Sequence, residues 1–109
     1  MAKYVLMVLT RPASPEREQE FNDWYNGTHL PEVLSVPEFR RARRFKQVEP
    51  KGPQAPEHDY LALYEVETDD FGSVLGEIGA RMEDGRIAEN DVMVVEVVGV
   101  YEVIEEQSA

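Results

Sequence analysis

The chain has 109 residues, which sets a single domain spanning residues 1–109 as the expectation. Its 22 acidic and 11 basic residues give a formal net charge of −11, a surface that repels phosphate backbones and anionic lipid and so argues against nucleic acid or a membrane as partner. The absence of cysteine rules out disulfides, thiolate metal sites and cysteine nucleophiles, and fits a reducing cytoplasm as the expected location.

Lys3–Thr10 is rich in β-branched and aromatic residues and stops at Arg11-Pro12, so a first strand is expected there. Its apolar run is too short for a signal-peptide core or a membrane span. Ser14-Pro15 has the form of an N-cap followed by proline in the first helical turn, with Glu16 and Glu18 near the positive end of the dipole. That helix is expected to reach Asn26, with Gly27 as its C-cap. Phe21, Trp24 and Tyr25 fall on one face at i, i+3, i+4. A helical turn over Thr28–Val36 ends at Pro37, and Glu38–Val48 reads as a strand. Glu49–Glu57, with Pro50, Gly52, Pro53 and Pro56, reads as a loop.

Asp59–Val66 is a strand whose Tyr60, Ala62, Tyr64 and Val66 share a face. Asp69–Asp84 is a helix presenting Phe71, Leu75, Ile78 and Met82; its three glycines weaken it or allow close packing on a sheet. Asp91–Ile104 is a long strand, with Gly99 as its expected bulge or bend. The order βαββαβ defines the α+β ferredoxin-like plan, a four-stranded antiparallel sheet with two helices on one face. Val92–Val98 is apolar at nearly every position, the pattern of a strand buried on both sides. The uncovered sheet face therefore needs a cover, and a second copy of the chain is the simplest one. The expected partner is thus a homodimer whose facing sheets form an α+β barrel around a small-molecule pocket.

The run Phe21-Asn22-x-Trp24-Tyr25-x-x-x-His29-Leu30-Pro31, followed by Pro37-x-Phe39-Arg40-Arg41-Ala42-Arg43-Arg44-Phe45, resembles the EthD-like branch of the dimeric α+β barrel superfamily. The motif covers about a quarter of the chain, and the element order extends the likeness over the rest. Glu38 stands where the family often has glycine. The resemblance implies the barrel and the dimer. For activity it implies a range: cofactor-free isomerases, polyketide cyclases, haem-degrading monooxygenases and members without assigned activity.

His29 is the leading catalytic candidate. The resemblance maps the motif histidine onto it, and imidazole is the side chain best matched to proton transfer near neutral pH. If the helix runs through Gly27, His29 stacks on Tyr25; if Gly27 ends it, His29 opens the next turn. Tyr25 is the second catalytic candidate, its hydroxyl able to donate to a carbonyl or lactone oxygen. Trp24 is a core aromatic first and a pocket wall second. Asn22 is a candidate for orienting a ligand.

By strict alternation, Arg41 and Arg43 share a face with Phe39 and Phe45, while Arg40, Arg44 and Lys46 share the other with Ala42. Arginines among phenylalanines need an anion, either Glu65 or Glu96 or a substrate carboxylate gripped in bidentate fashion. Tyr60 and Tyr64 are candidate cavity walls, and His58 is a candidate partner for His29 in an acid–base pair. Two isolated histidines without cysteine form no metal-ligand pattern, so neither metal nor cofactor is expected.

Three functions follow from these readings. One is a cofactor-free isomerase, cyclase or lyase acting on an aromatic-derived acid, lactone or polyketide-like substrate in catabolism or secondary metabolism. Another is a non-catalytic ligand-binding or accessory protein of an oxygenase system. The third is a haem-binding monooxygenase using His29.

Overall fold

The computed structural model describes residues 1–109. Strand β1 covers Ala2–Pro12. Ser14 has extended backbone and precedes a short turn of 3-10 helix, Pro15–Arg17, which leads into α1, Glu18–Trp24. Helical backbone then continues without a break. A wide π turn, Tyr25–His29, joins α1 to α2, Leu30–Leu34.

Gly27 therefore lies inside a helical run, which corrects the expected C-cap. Glycine inside a helix costs about 1 kcal/mol relative to alanine. Continuity keeps Phe21 and Tyr25, both 0% exposed, and Val33 seated against the sheet, and burying one such aromatic side chain is worth about 1.5–3 kcal/mol. The wide turn stands just before Pro31, whose ring clashes with the carbonyl four residues back in a regular α-turn. Glu38 follows Pro37 in the next turn without a positive φ, so that turn forms in the absence of glycine.

The remaining elements are β2 (Phe39–Lys46), β3 (Tyr60–Thr68), α3 (Phe71–Glu83) and β4 (Met93–Glu102). The sheet order is β2-β3-β1-β4 with every neighbouring pair antiparallel, which is the expected ferredoxin-like arrangement. Asp70 caps α3, its carboxylate accepting from the Ser73 amide at 3.1 Å. Val74 is the buried residue of α3, with Phe71 and Ile78 packed beside the core. Leu75 and Met82, expected inside, are 46% and 44% exposed. Gly76 and Gly79 face open space, so neither serves a close approach to the sheet.

Along β3, Tyr60, Ala62, Tyr64, Val66 and Thr68 are buried under the helices. Leu61, Leu63, Glu65 and Glu67 point to the opposite, uncovered face, beside Val5, Met7 and Leu9 of β1. In β2 the register shifts between Phe39 and Arg41. Phe39 consequently joins the buried core with Ala42, Arg44 and Lys46 on the helix side, and separates from Arg41, Arg43 and Phe45. Strict alternation misplaced Phe39 because a bulge inserts one residue and reverses the parity beyond it.

Strand β4 is shorter than expected and occupies the sheet edge. Val95, Val97, Val98 and Val100 are all exposed, so one chain covers neither side of it. Its bulge lies opposite the Leu9–Thr10 step, at Glu96, and not at Gly99. Gly99 instead makes room for a neighbour: a Cβ there would come within 2.8 Å of the Tyr101 ring. No helix is long and apolar enough to cross a membrane.

Candidate functional site

The continuous helical run sets the geometry around His29. Its imidazole stacks on Trp24, with ring centroids 4.9 Å apart and an interplanar angle of 25°. Tyr25 meets it edge-on, also at 4.9 Å. Burial pushes the His29 pKa below its ordinary value, against an opposing pull from Glu32, while the Arg44 cation adds to the lowering. The ring is thus held neutral near physiological pH. Its Nδ1 is buried and reached by no protein donor or acceptor.

His29 opens onto a cleft of about 430 Å³ between the helices and the helix-side face of β4. Met82, Ala88, Met93 and Val95 form its apolar walls. Glu89, Asn90 and Asp91 give it polar and acidic groups. The segment after α3 is fixed in place from several directions. Ala88 donates its amide to Glu32 at 2.9 Å, and Val92 donates to Asn90 Oδ1 at 2.9 Å. Ile87 and Val92 are buried beneath it.

Under α1, a polar-aromatic seam runs away from the cleft. The Arg44 guanidinium lies 4.2 Å from the Tyr25 ring centroid, 5.1 Å from Phe21 and 5.3 Å from Tyr60. Its Nη1 donates to Asn26 Oδ1 at 2.9 Å, within the wide turn, and no carboxylate pairs with it. Burial lowers the Arg44 pKa, and the tyrosines around it act in the other direction. Tyr25 and Tyr64 bring their hydroxyls to 3.3 Å of each other, and burial raises both pKa values. Tyr60 donates to Glu18 at 2.7 Å and accepts from Asn22 at 3.3 Å.

Of the residues singled out from the sequence, His29 alone lines the cleft. Trp24 and Tyr25 touch it through His29, whereas Asn22, Tyr60 and Tyr64 belong to the seam. Arg41 and Arg43 are on the uncovered face, where Arg41 meets Glu65 at 2.6 Å and Arg43 lies 3.9 Å from the same carboxylate. Arg43 also borders a smaller hollow of about 230 Å³ there, with Lys3, Arg40 and Glu65. His58 occupies that face too, its Nε2 3.0 Å from Glu96, a carboxylate held below its ordinary pKa first by His58 and then by Arg11. The sheet therefore separates His58 from His29.

Sequence reasoning missed Arg44 and the 88–95 wall. Arg44 shares a strand face with Ala42 in the sequence, but that this face lies under the helices follows only from the register shift between Phe39 and Arg41. The wall had no readable signal, because its place beside His29 depends on packing between segments distant in sequence.

The chain has a ferredoxin-like α+β fold, an antiparallel sheet with two helical elements on one face, and it sets a helix-borne histidine beside an apolar hollow. The crystal structure of an EthD-like protein from Ralstonia eutropha JMP134 superimposes with a TM-score of 0.64 at 16% identity, covering 99% of this chain and 97% of that one. An EthD family protein from Bacillus halodurans C-125 gives 0.56 at 17% identity over 98% and 100% of the two chains. HapK from Hahella chejuensis gives 0.59 at 11% identity over 97% of each. At these identities the shared property is the fold. In sequence, 64 residues are 38% identical to core atranone cluster protein 1 of Stachybotrys chlorohalonatus. The match takes in 58% of this chain and 26% of that protein, so the chain spans about a quarter of its relative's length. No family model matches the chain.

Proposed function

We propose that the chain is a small-molecule-binding barrel protein that catalyses cofactor-free proton transfer, as an isomerase, cyclase or lyase, with His29 as the proton shuttle. The single observation behind this reading is an unpartnered, desolvated imidazole at the wall of an apolar cleft. A neutral imidazole can take a proton from an acidic carbon and return it elsewhere on the same ligand. Trp24 holds the ring plane by stacking, and Tyr25 supports its edge. The relative's name ties that protein to an atranone cluster, which agrees with a place for this chain in secondary metabolism.

Incubation of neutral cyclic ketones and lactones in heavy water tests the proposal, with carbon-bound deuterium read by NMR. Exchange by the wild type that His29→Ala abolishes supports it. Cleft binding without exchange by any substrate overturns the catalytic part and leaves the accessory ligand-binding reading.

Haem fits the cleft poorly. Its lining holds Glu89 and Asp91 and no cation to pair with haem propionates. No group of three or more His, Cys, Asp or Glu is placed to hold a metal ion.

The same proposal includes a homodimer. Val5, Met7, Leu9, Leu61, Leu63 and Val97 make the uncovered face an apolar surface, of the kind that marks interaction sites. A second sheet laid against it would bury β4's outer valines and complete the barrel.

A further inference from the structure

We propose that the His29 cleft selects an uncharged, hydroxyl-bearing apolar ligand and rejects carboxylates. This rests on the reading of that cleft as the ligand site. It narrows the acid, lactone and polyketide-like classes to those without a carboxylate, because the cations that would have held an acid lie elsewhere.

The arginines around the cleft are matched by carboxylates or, in the case of Arg44, turned away from it into an aromatic box. Arg17 is held by Glu20 at 2.9 Å and by Asp91 at 3.1 Å. Arg81 is held by Glu77 at 2.7 Å, and Arg86 by Asp84 at 2.8 Å. Arg44 lies beneath three aromatic rings and is absent from the cleft wall. Arg41 and Arg43 are across the sheet. The unpaired charge that lines the hollow is the carboxylate of Glu89, since Asp91 is matched by Arg17. A ligand carboxylate entering there would lose hydration, find no cation and meet charge of its own sign.

The hollow has clear uses for a neutral ring system. Met82, Met93 and Val95 offer apolar, adaptable contact, and methionine sulfur packs well on aromatic rings. Asn90 spends its Oδ1 on the Val92 amide, which leaves its Nδ2 to donate to a ligand oxygen. Glu89 can accept from a ligand hydroxyl. An ammonium group would suit the acidic margin but would find methionine and valine deeper in.

Three probes of the same ring size separate the cases: a naphthol, a naphthoate and a naphthylmethylammonium ion. Binding to the full chain is read at neutral pH from the His29 ring resonances and from Trp24 fluorescence, Trp24 being the only tryptophan. The naphthol is expected to shift His29 and to bind at least about tenfold more tightly than the naphthoate, about 1.4 kcal/mol. Glu89→Gln is expected to strengthen naphthoate binding and so reduce that ratio. If the naphthoate or the ammonium ion shifts His29 and binds as tightly as the naphthol, the selectivity is overturned while the cleft stands. If none of the three moves the His29 resonances, the ligand site itself is overturned, and this inference with it.

Discussion

Arg44 is the most informative residue to perturb, because three rings and no carboxylate surround it. In Arg44→Met the apolar stem is largely kept and the planar cation is lost. The closest stack, on Tyr25 at 4.2 Å, is a partly desolvated cation–π contact worth about 1–2 kcal/mol. The stacks on Phe21 at 5.1 Å and Tyr60 at 5.3 Å add less. The charged hydrogen bond to Asn26 at 2.9 Å is partly exposed, so the low end of the range, about 1.5 kcal/mol, applies. Removing a half-buried charge gives back part of that sum, through the same desolvation that lowers the Arg44 pKa. The net expectation is a loss of about 1–2 kcal/mol in urea unfolding near pH 7, with an unchanged m-value. Arg44→Lys should lose nearly as much, since an ammonium neither stacks nor forks. A second readout is independent of stability: removing a neighbouring cation raises the His29 pKa, followed by NMR. If Arg44→Met is as stable as the wild type and the His29 midpoint stays in place, the aromatic box around Arg44 has been misread.

His29 should contribute a pH-dependent term to stability. Its folded pKa lies below its unfolded value, so the unfolded chain binds the proton more readily. Stability is therefore full above about pH 6.5 and falls as the pH drops through the folded value, with a slope of at most about 1.4 kcal/mol per pH unit; in His29→Gln that component should vanish from urea midpoints taken between neutral and mildly acidic pH. Asp70→Ala removes the α3 cap and should cost about 1 kcal/mol, measured by chemical denaturation; an unchanged midpoint would show the cap to be idle. Val97 is 42% exposed on the uncovered face, so Val97→Glu should change the stability of one isolated chain by no more than about 0.5 kcal/mol. If a second copy covers that face, the same change should convert dimer to monomer in light scattering; a wild type that is already monomeric refutes the homodimer.

The order of elements was legible because it depends on local chemistry. Alternating aromatics in Tyr60–Val66, the Ser14-Pro15 start and the proline-rich loop after Glu49 each declare themselves within a few residues. His29 stood out through the motif resemblance and as one of only two histidines in the chain. The route of the helix past Gly27 was not legible, because glycine's local preference is weak beside the burial of Phe21 and Tyr25 on the sheet. The charge of the site was not legible either. A single shift of register between Phe39 and Arg41 decides which arginines lie under the helices. It places Arg44 beside Tyr25 and sends Arg41 and Arg43 to the far face, paired with or close to Glu65. Local sequence thus determined the elements, the acidic surface and the histidine. Pairing between strands distant in the chain decided what surrounds that histidine, because in a sheet each one-residue slip exchanges the two faces.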